Sequence, residues 1–248
     1  MKIIDTHVHY GKISSFNMPL EDILVLIKSR NIDAAVISSI ENAEIYEGSL
    51  CNDSITNNAC LLDEIKDDDR LYMQYWIKPN TERMNDGIAY FIENNRNKII
   101  GLKIHPFLSG MCITDDRIRP YLDYAKQIRL PVSVHTAKGY GCECRYLASV
   151  CEKYPKVDFI AVHMDLGTDH KEAVELINGI PNLYGDVSWI KYSDYLDLGV
   201  SPGKVMFGSD IPINMDTAYD FYEGYFINKN REKGLMMGNA LKLFPSLK

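Results

Sequence analysis

Cysteine is scarce in this sequence. Cys51, Cys60, Cys112, Cys142, Cys144 and Cys151 are spread over 248 residues, and no pair has the C-x-x-C spacing of a zinc ribbon or redox motif. That argues against a disulfide-stapled scaffold and points to free thiols in a reducing compartment. Cys142-Glu143-Cys144 alone leaves a metal-binding or redox reading open. Long apolar runs are missing too. None approaches the ~20 residues of a membrane helix, and no charged n-region precedes an apolar stretch at the N-terminus. The expectation is a cytoplasmic protein with no membrane partner. A basic tract is also lacking. Lys and Arg total 27 against 34 Asp and Glu, for a net charge of −7, so the electrostatic footprint of nucleic-acid binding is absent. No glycine-rich phosphate loop follows the first apolar stretch, which argues against an open dinucleotide-binding sheet. What is present is an ordinary globular composition, 46% hydrophobic and 25% charged, at the size of one (β/α)8 barrel of about 250 residues. A small-molecule substrate fits this balance, and self-association into a homo-oligomer stays open.

The pattern along the chain repeats strand then helix. Residues 2–9 predict a first strand, and Leu20, Ile23, Leu24 and Ile27 follow at helical spacing after Pro19. Further strands are predicted at Ala34–Ile40, Leu71–Ile77, Ile99–His105, Val132–His135, Val157–His163, Leu183–Val187 and Val205–Asp210. Apolar residues at helical spacing separate them, and residues 234–244 predict a terminal helix. Residues 41–54 are polar and irregular, either a lid over a site or a surface excursion. No linker or change of composition divides residues 1–248. Eight strand–helix units in one domain predict an α/β fold, a closed (β/α)8 TIM barrel, with the open doubly wound sheet as the alternative.

In such a barrel the chemistry sits where strands end. The first strand ends in Asp5-Thr6-His7-Val8-His9. Side chains two apart share a face, so Asp5, His7 and His9 are expected to point one way and Ile4, Thr6 and Val8 the other. Lys103 and His105 end the fourth predicted strand, His135 the fifth, His163 the sixth and Asp210 the eighth. Five of six histidines fall at such ends, and His170 does not. Aliphatics alternate away from His135 (Val132, Val134), from His163 (Ile160, Val162) and from Asp210 (Val205, Phe207). They are expected to face the helices. Converging imidazoles and a carboxylate suit a divalent metal, most simply Zn²⁺.

These stretches resemble the amidohydrolase superfamily, in particular the amidohydrolase-related branch that includes aminocarboxymuconate-semialdehyde decarboxylase and resorcylate decarboxylases. The resemblance is carried by Asp5-Thr6-His7-Val8-His9, Gly101-Leu102-Lys103-Ile104-His105-Pro106, Pro131-Val132-Ser133-Val134-His135, Val162-His163-Met164, Phe207-Gly208-Ser209-Asp210, and Gly238-Asn239-Ala240-Leu241 with Phe244. It implies metal ligation by His7, His9, His135 and Asp210. It implies that Asp210 is also the proton shuttle, and that His163 is a further ligand or a hydrogen-bonding catalytic group. Lys103 and His105 would meet an anionic substrate, or Lys103 would be carboxylated and bridge two metals. The sequence departs from the family at Asp165, where glycine usually follows His-Met. Asp165 is then a specificity group or a surface carboxylate.

Two functions follow from the same residues. One is metal-dependent hydrolysis of a small carboxylate-bearing compound by metal-activated water. The other is decarboxylation of a small unsaturated or aromatic acid. A metal-dependent deoxyribonuclease on a related barrel is a third reading, but that group usually carries glutamate where Lys103 and His105 stand.

Overall fold

The computed structural model describes residues 2–14, 16–45, 52–227 and 234–247. Its elements run β1 (Ile4–Ile13), β2 (Phe16–Met18), α1 (Leu20–Ser29), β3 (Ala34–Ser39), α2 (Ser54–Ile65), β4 (Leu71–Trp76), α3 (Asp86–Asn94), β5 (Ile99–Ile104), α4 (Pro106–Ser109), α5 (Arg119–Ile128), β6 (Val132–Ala137), α6 (Cys144–Lys153), β7 (Phe159–Leu166), α7 (Lys171–Gly179), β8 (Leu183–Asp186), α8 (Tyr192–Asp197), β9 (Val205–Met206), α9 (Met215–Ile227) and α10 (Asn239–Leu243). The strand order is β2-β1-β3-β4-β5-β6-β7-β8-β9. All strands but β2 pair in parallel. β2 folds back antiparallel on the end of β1, with Gly11 opposite Met18. Three residues, two of them exposed, carry no readable period, so the sequence did not announce this hairpin.

The sheet closes on itself. Val8 bridges Ile211 in parallel. The Thr6 N–H donates to the Phe207 carbonyl (3.0 Å), the Asp210 N–H to His7 (2.8 Å) and the His9 N–H to Ile211 (2.9 Å). Eight parallel strands thus form the expected (β/α)8 barrel. Asp53 caps α2 by accepting from the Thr56 N–H, and Asn85 caps α3 by accepting from Ile88. Such caps satisfy amides that the first helical turn leaves without partners. The predicted terminal helix starts as a π-helical turn, Gly234–Gly238, before α10. Among the described residues no helix is long and apolar enough to cross a membrane.

Among the described residues, two of the three apolar clusters form layers around and inside the barrel, and the third joins Ile13, Met18, Ile40, Trp76 and Leu108. The outer layer packs strand residues such as Leu102, Val132, Val134 and Phe207 against helix residues such as Ile23, Leu61, Leu147 and Ile177. The inner one lies inside the barrel. It joins Ile4, Val36, Ile100, Ile160, Val162, Tyr184 and Met206 to Leu243, Phe244 and Leu247, which plug the end opposite the histidines. Strict alternation therefore fails in two strands. In β1 the register shifts between Asp5 and Val8, so Ile4 turns inward and Val8 outward. The expectation that Ile4 and Val8 share a face is corrected by this bulge. In β7, Ile160 and Val162 line the interior rather than the helices. His163 nevertheless reaches the site, because His163, Met164 and Asp165 all have positive φ (70°, 48° and 68°), which breaks the two-residue period.

The irregular stretch at 41–54 lies partly outside the described residues, at 46–51, as does Cys51. The other five cysteines are free, Cys60 exposed and Cys142, Cys144 and Cys151 buried.

Candidate metal centre

The strand ends bring the predicted residues to one mouth of the barrel. His7, His9, Lys103, His105, His163 and Asp210 are buried there, and His135 is half-buried. Gly208 allows the crowding: a Cβ on it would come within 2.9 Å of the His7 Cβ and 3.0 Å of an Asp186 oxygen.

Three electron-pair donors converge. His7 Nε2 and His9 Nε2 lie 3.1 Å apart. Asp210 Oδ1 is 2.9 Å from His9 Nε2 and 3.3 Å from His7 Nε2. A tetrahedral zinc with Zn–N bonds of about 2.0–2.1 Å holds its ligand atoms about 3.3–3.4 Å apart. The observed 2.9–3.3 Å is close to that spacing, so the three donors suit a divalent ion. His7, His163 and Asp186 offer a second group with ligand atoms within 4.8 Å of one another. His135 belongs to neither group. Its ring stacks on His105 (centroids 3.7 Å apart) and meets His163 edge-on at 4.9 Å. His105 is in turn stacked on Trp76 (5.6 Å), and its Nδ1 accepts the Leu108 N–H at the start of α4. His170 lies elsewhere, bonded through Nδ1 to the Met164 carbonyl.

Charge states suit a cation. Burial pushes His9 down to about 4 and His163 to about 3, and holds His105 and His135 well below the usual imidazole range. Neutral imidazoles are what a metal needs. Burial alone would raise Asp210, yet His7, His9 and His163 hold its carboxyl well below the ordinary range, so it is ionised. Lys103 Nζ sits 3.1 Å from His7 Nε2, and burial lowers its amine to about 8, partly offset by Asp210 and Asp186.

Asp186, at the end of β8, is the site residue that the sequence analysis missed. Its Oδ2 lies 3.1 Å from His7 Nδ1. Its Oδ1 accepts from the His163 N–H (2.9 Å), the Ser188 N–H (3.1 Å) and the Ser188 hydroxyl (2.5 Å). Burial opposes ionisation, but His7, His163 and Ser188 keep it far below the carboxylate norm. The network fixes tautomers. An ionised Asp186 can only accept, so His7 Nδ1 carries the hydrogen and donates it to Asp186, which leaves Nε2 bare toward the donor cluster. The Ser188 hydroxyl donates its hydrogen bond to Asp186 and so accepts from His163 Nδ1–H at 2.7 Å. His163 Nε2 is then bare as well.

Asp165 is neither of the two things expected of it. It is buried and its Oδ1 accepts the Cys144 N–H (2.7 Å) at the start of α6, while its own N–H donates to Thr136. It is a structural carboxylate.

Above the donors opens a cavity of about 340 Å³. Ser14, His9, His105, His163 and Asp210 are its polar groups, and Ile13, Phe16, Trp76, Phe107 and Trp189 are among its apolar ones. Among the described residues no Lys or Arg lines it.

The family described as amidohydrolase has a model that matches residues 4–245. No curated protein sequence matches the chain. Solved structures similar to it include 5-carboxyvanillate decarboxylase from Sphingomonas paucimobilis, 12% identical over 98% of this chain and 99% of that one, with a TM-score of 0.71. A probable 2-pyrone-4,6-dicarboxylic acid hydrolase from Acinetobacter baumannii is 16% identical over 99% and 100%, with a TM-score of 0.69. An amidohydrolase from Burkholderia multivorans with bound zinc is 13% identical over 99% of each chain, with a TM-score of 0.70. At these identities the likeness is one of fold.

Proposed function

The chain belongs to the amidohydrolase family, and from that premise we propose a metal-dependent hydrolase of a small carboxylate-bearing compound. One observation carries it: His7 Nε2, His9 Nε2 and Asp210 Oδ1 converge within 2.9–3.3 Å at the floor of a small-molecule cavity. His7, His9 and Asp210 would hold the ion, with His135 and His163 at its margin, and zinc suits these donors. When bound, such an ion supplies Lewis acidity, lowering the pKa of a water to about 7 and polarising a carbonyl.

The chain's own groups do the rest. Asp210, ionised at neutral pH, takes a proton at the cavity floor and returns it to the leaving group. His163, with Nε2 bare, is a second proton acceptor at the same floor. His105 closes the wall between Trp76 and His135 and orients substrate there. Lys103 lies beneath the donors rather than on the wall, so it acts on charge at the reacting centre.

That placement favours decarboxylation as the second reading. With no cation on the described walls, a substrate carboxylate finds positive charge only at the floor, where the bond to it would break. A deoxyribonuclease gains nothing here, since the walls offer a phosphodiester backbone no basic group among the described residues.

Metal analysis of the purified protein tests the reading. About one divalent ion per chain is expected. His7→Ala with His9→Ala should remove it while a cooperative thermal transition persists. A wild-type chain that takes up no ion even after zinc is added would sink the proposal. Carbon dioxide release, measured against lactone or amide opening on a small panel, separates the two reactions.

A further inference from the structure

We propose that Trp189 is a positioning residue for Asp210: its indole N–H holds one carboxylate oxygen so that the other alone faces His7 and His9. This rests on the metal reading above and concerns a residue that the reading leaves without a role.

Trp189 follows Ser188 just past β8 and has φ +66°. A bulky side chain at positive φ is a genuine outlier, held only where surrounding structure compels it. Its indole N–H donates to Asp210 Oδ2 at 2.5 Å. Asp210 is itself at φ +60°. Two residues from neighbouring strand ends, both in the rare left-handed region, are therefore joined by one charge-assisted hydrogen bond. The bond divides the work of the carboxylate. Oδ1 is 2.9 Å from His9 Nε2 and 3.3 Å from His7 Nε2, while Oδ2 is occupied by the indole. Asp210 is 4% exposed and Trp189 39%. The ring thus covers a buried carboxylate from the cavity side, and it lines that cavity. Rotation of the Asp210 carboxylate, which would offer the ion both oxygens or neither, is blocked while the indole holds Oδ2.

Trp189→Phe keeps a ring and deletes the N–H. Trp189→Gly deletes the N–H and suits the left-handed backbone, so it tests the same bond if the phenylalanine variant fails to fold. Metal-free protein is titrated with cobalt chloride, read by visible absorption, and with zinc against a chelator. Both variants should shift the cobalt bands and weaken zinc binding about 10–100-fold, the usual effect of removing a group that orients a metal ligand. Bands and affinity equal to wild type in either folded variant overturn the proposal. In ¹⁵N-labelled wild type the Trp189 indole resonance, told from that of Trp76 by a Trp76→Phe control, should move on adding zinc. A resonance that stays put also overturns the proposal. Wild-type protein that binds neither cobalt nor zinc overturns the metal reading itself, which is a separate result.

Discussion

Asp186 shows what a single residue can decide. It does not itself line the 340 Å³ cavity, yet it accepts four hydrogen bonds and sets which nitrogens of His7 and His163 stay bare. Asp186→Asn would keep the shape but would no longer compel the His7 tautomer. Zinc affinity, read by chelator competition, should fall about 10–100-fold; an unchanged affinity would show that His7 is oriented by other means. Asp210→Asn addresses the proton instead. With metal content matched to wild type, turnover should drop about 10²–10⁴-fold, the ordinary value of a positioned acid–base group. Turnover within a few-fold of wild type would transfer that role to His163. The histidines and Asp210 were legible in the sequence because rare residue types recur at predicted strand ends. Asp186 was not, because a lone aspartate after Gly185 reads like any strand terminus. Its position at the end of the seventh predicted strand was the available signal. Trp189 had no signal, since its left-handed backbone has no counterpart in hydrophobic periodicity.

At the scale of the element, β7 is the instructive case. The sequence placed it, and its alternation directed His163 to the barrel mouth, where it lies, but sent Ile160 and Val162 to the helices, whereas both lie inside the barrel. Three consecutive left-handed residues carry the histidine into the site. Aspartate tolerates such a backbone better than most residues, and Asp165 is anchored by the Cys144 N–H and Thr136. Asp165→Ala leaves a helix-terminal amide without its partner and keeps the unfavourable φ. We expect a loss of about 1–3 kcal/mol in denaturant unfolding, the cost of a buried donor left unsatisfied. Asp165→Gly removes the same bond but relieves the backbone, so it should cost less. Equal losses would mean that the backbone conformation carries no penalty. The β1 bulge makes the same point: period-two reasoning holds for β6, where Val132 and Val134 face the helices as expected, and fails where one extra residue shifts the phase.

For the whole molecule, eight strand–helix units and barrel closure were legible because length, alternation and the missing phosphate loop agreed. The β1–β2 hairpin was not, being too short to show a period. Stability of the whole should fall in alkali. Burial pushes the Cys142 and Cys151 thiols up to about 12, whereas an unfolded thiol ionises near 8.5. Between those values the folded chain holds protons that the unfolded chain releases. Their contribution is therefore fully present below about pH 8.5 and is lost as pH rises toward 12, by up to roughly 1.4 kcal/mol per pH unit for each thiol. Urea midpoints measured from pH 8 to 11 should decline, and Cys151→Ala should decline less steeply. Parallel slopes would remove Cys151 from the account.

Closure between β1 and the stretch after β9 also has a consequence in time. The amide of Thr6 is paired with a carbonyl 201 residues away, and His7 and His9 meet their carboxylate only through that seam. On a ribosome adding about 5–20 residues per second, roughly 10–40 s separate the emergence of the two imidazoles from that of Asp210. The nascent chain thus carries a two-nitrogen half-site throughout its synthesis, and the carboxylate is added only when the last strand docks. On the proposed metal reading, ion capture at full strength belongs to the finished protein, and a chain cut short before β9 would carry histidines that hold nothing firmly.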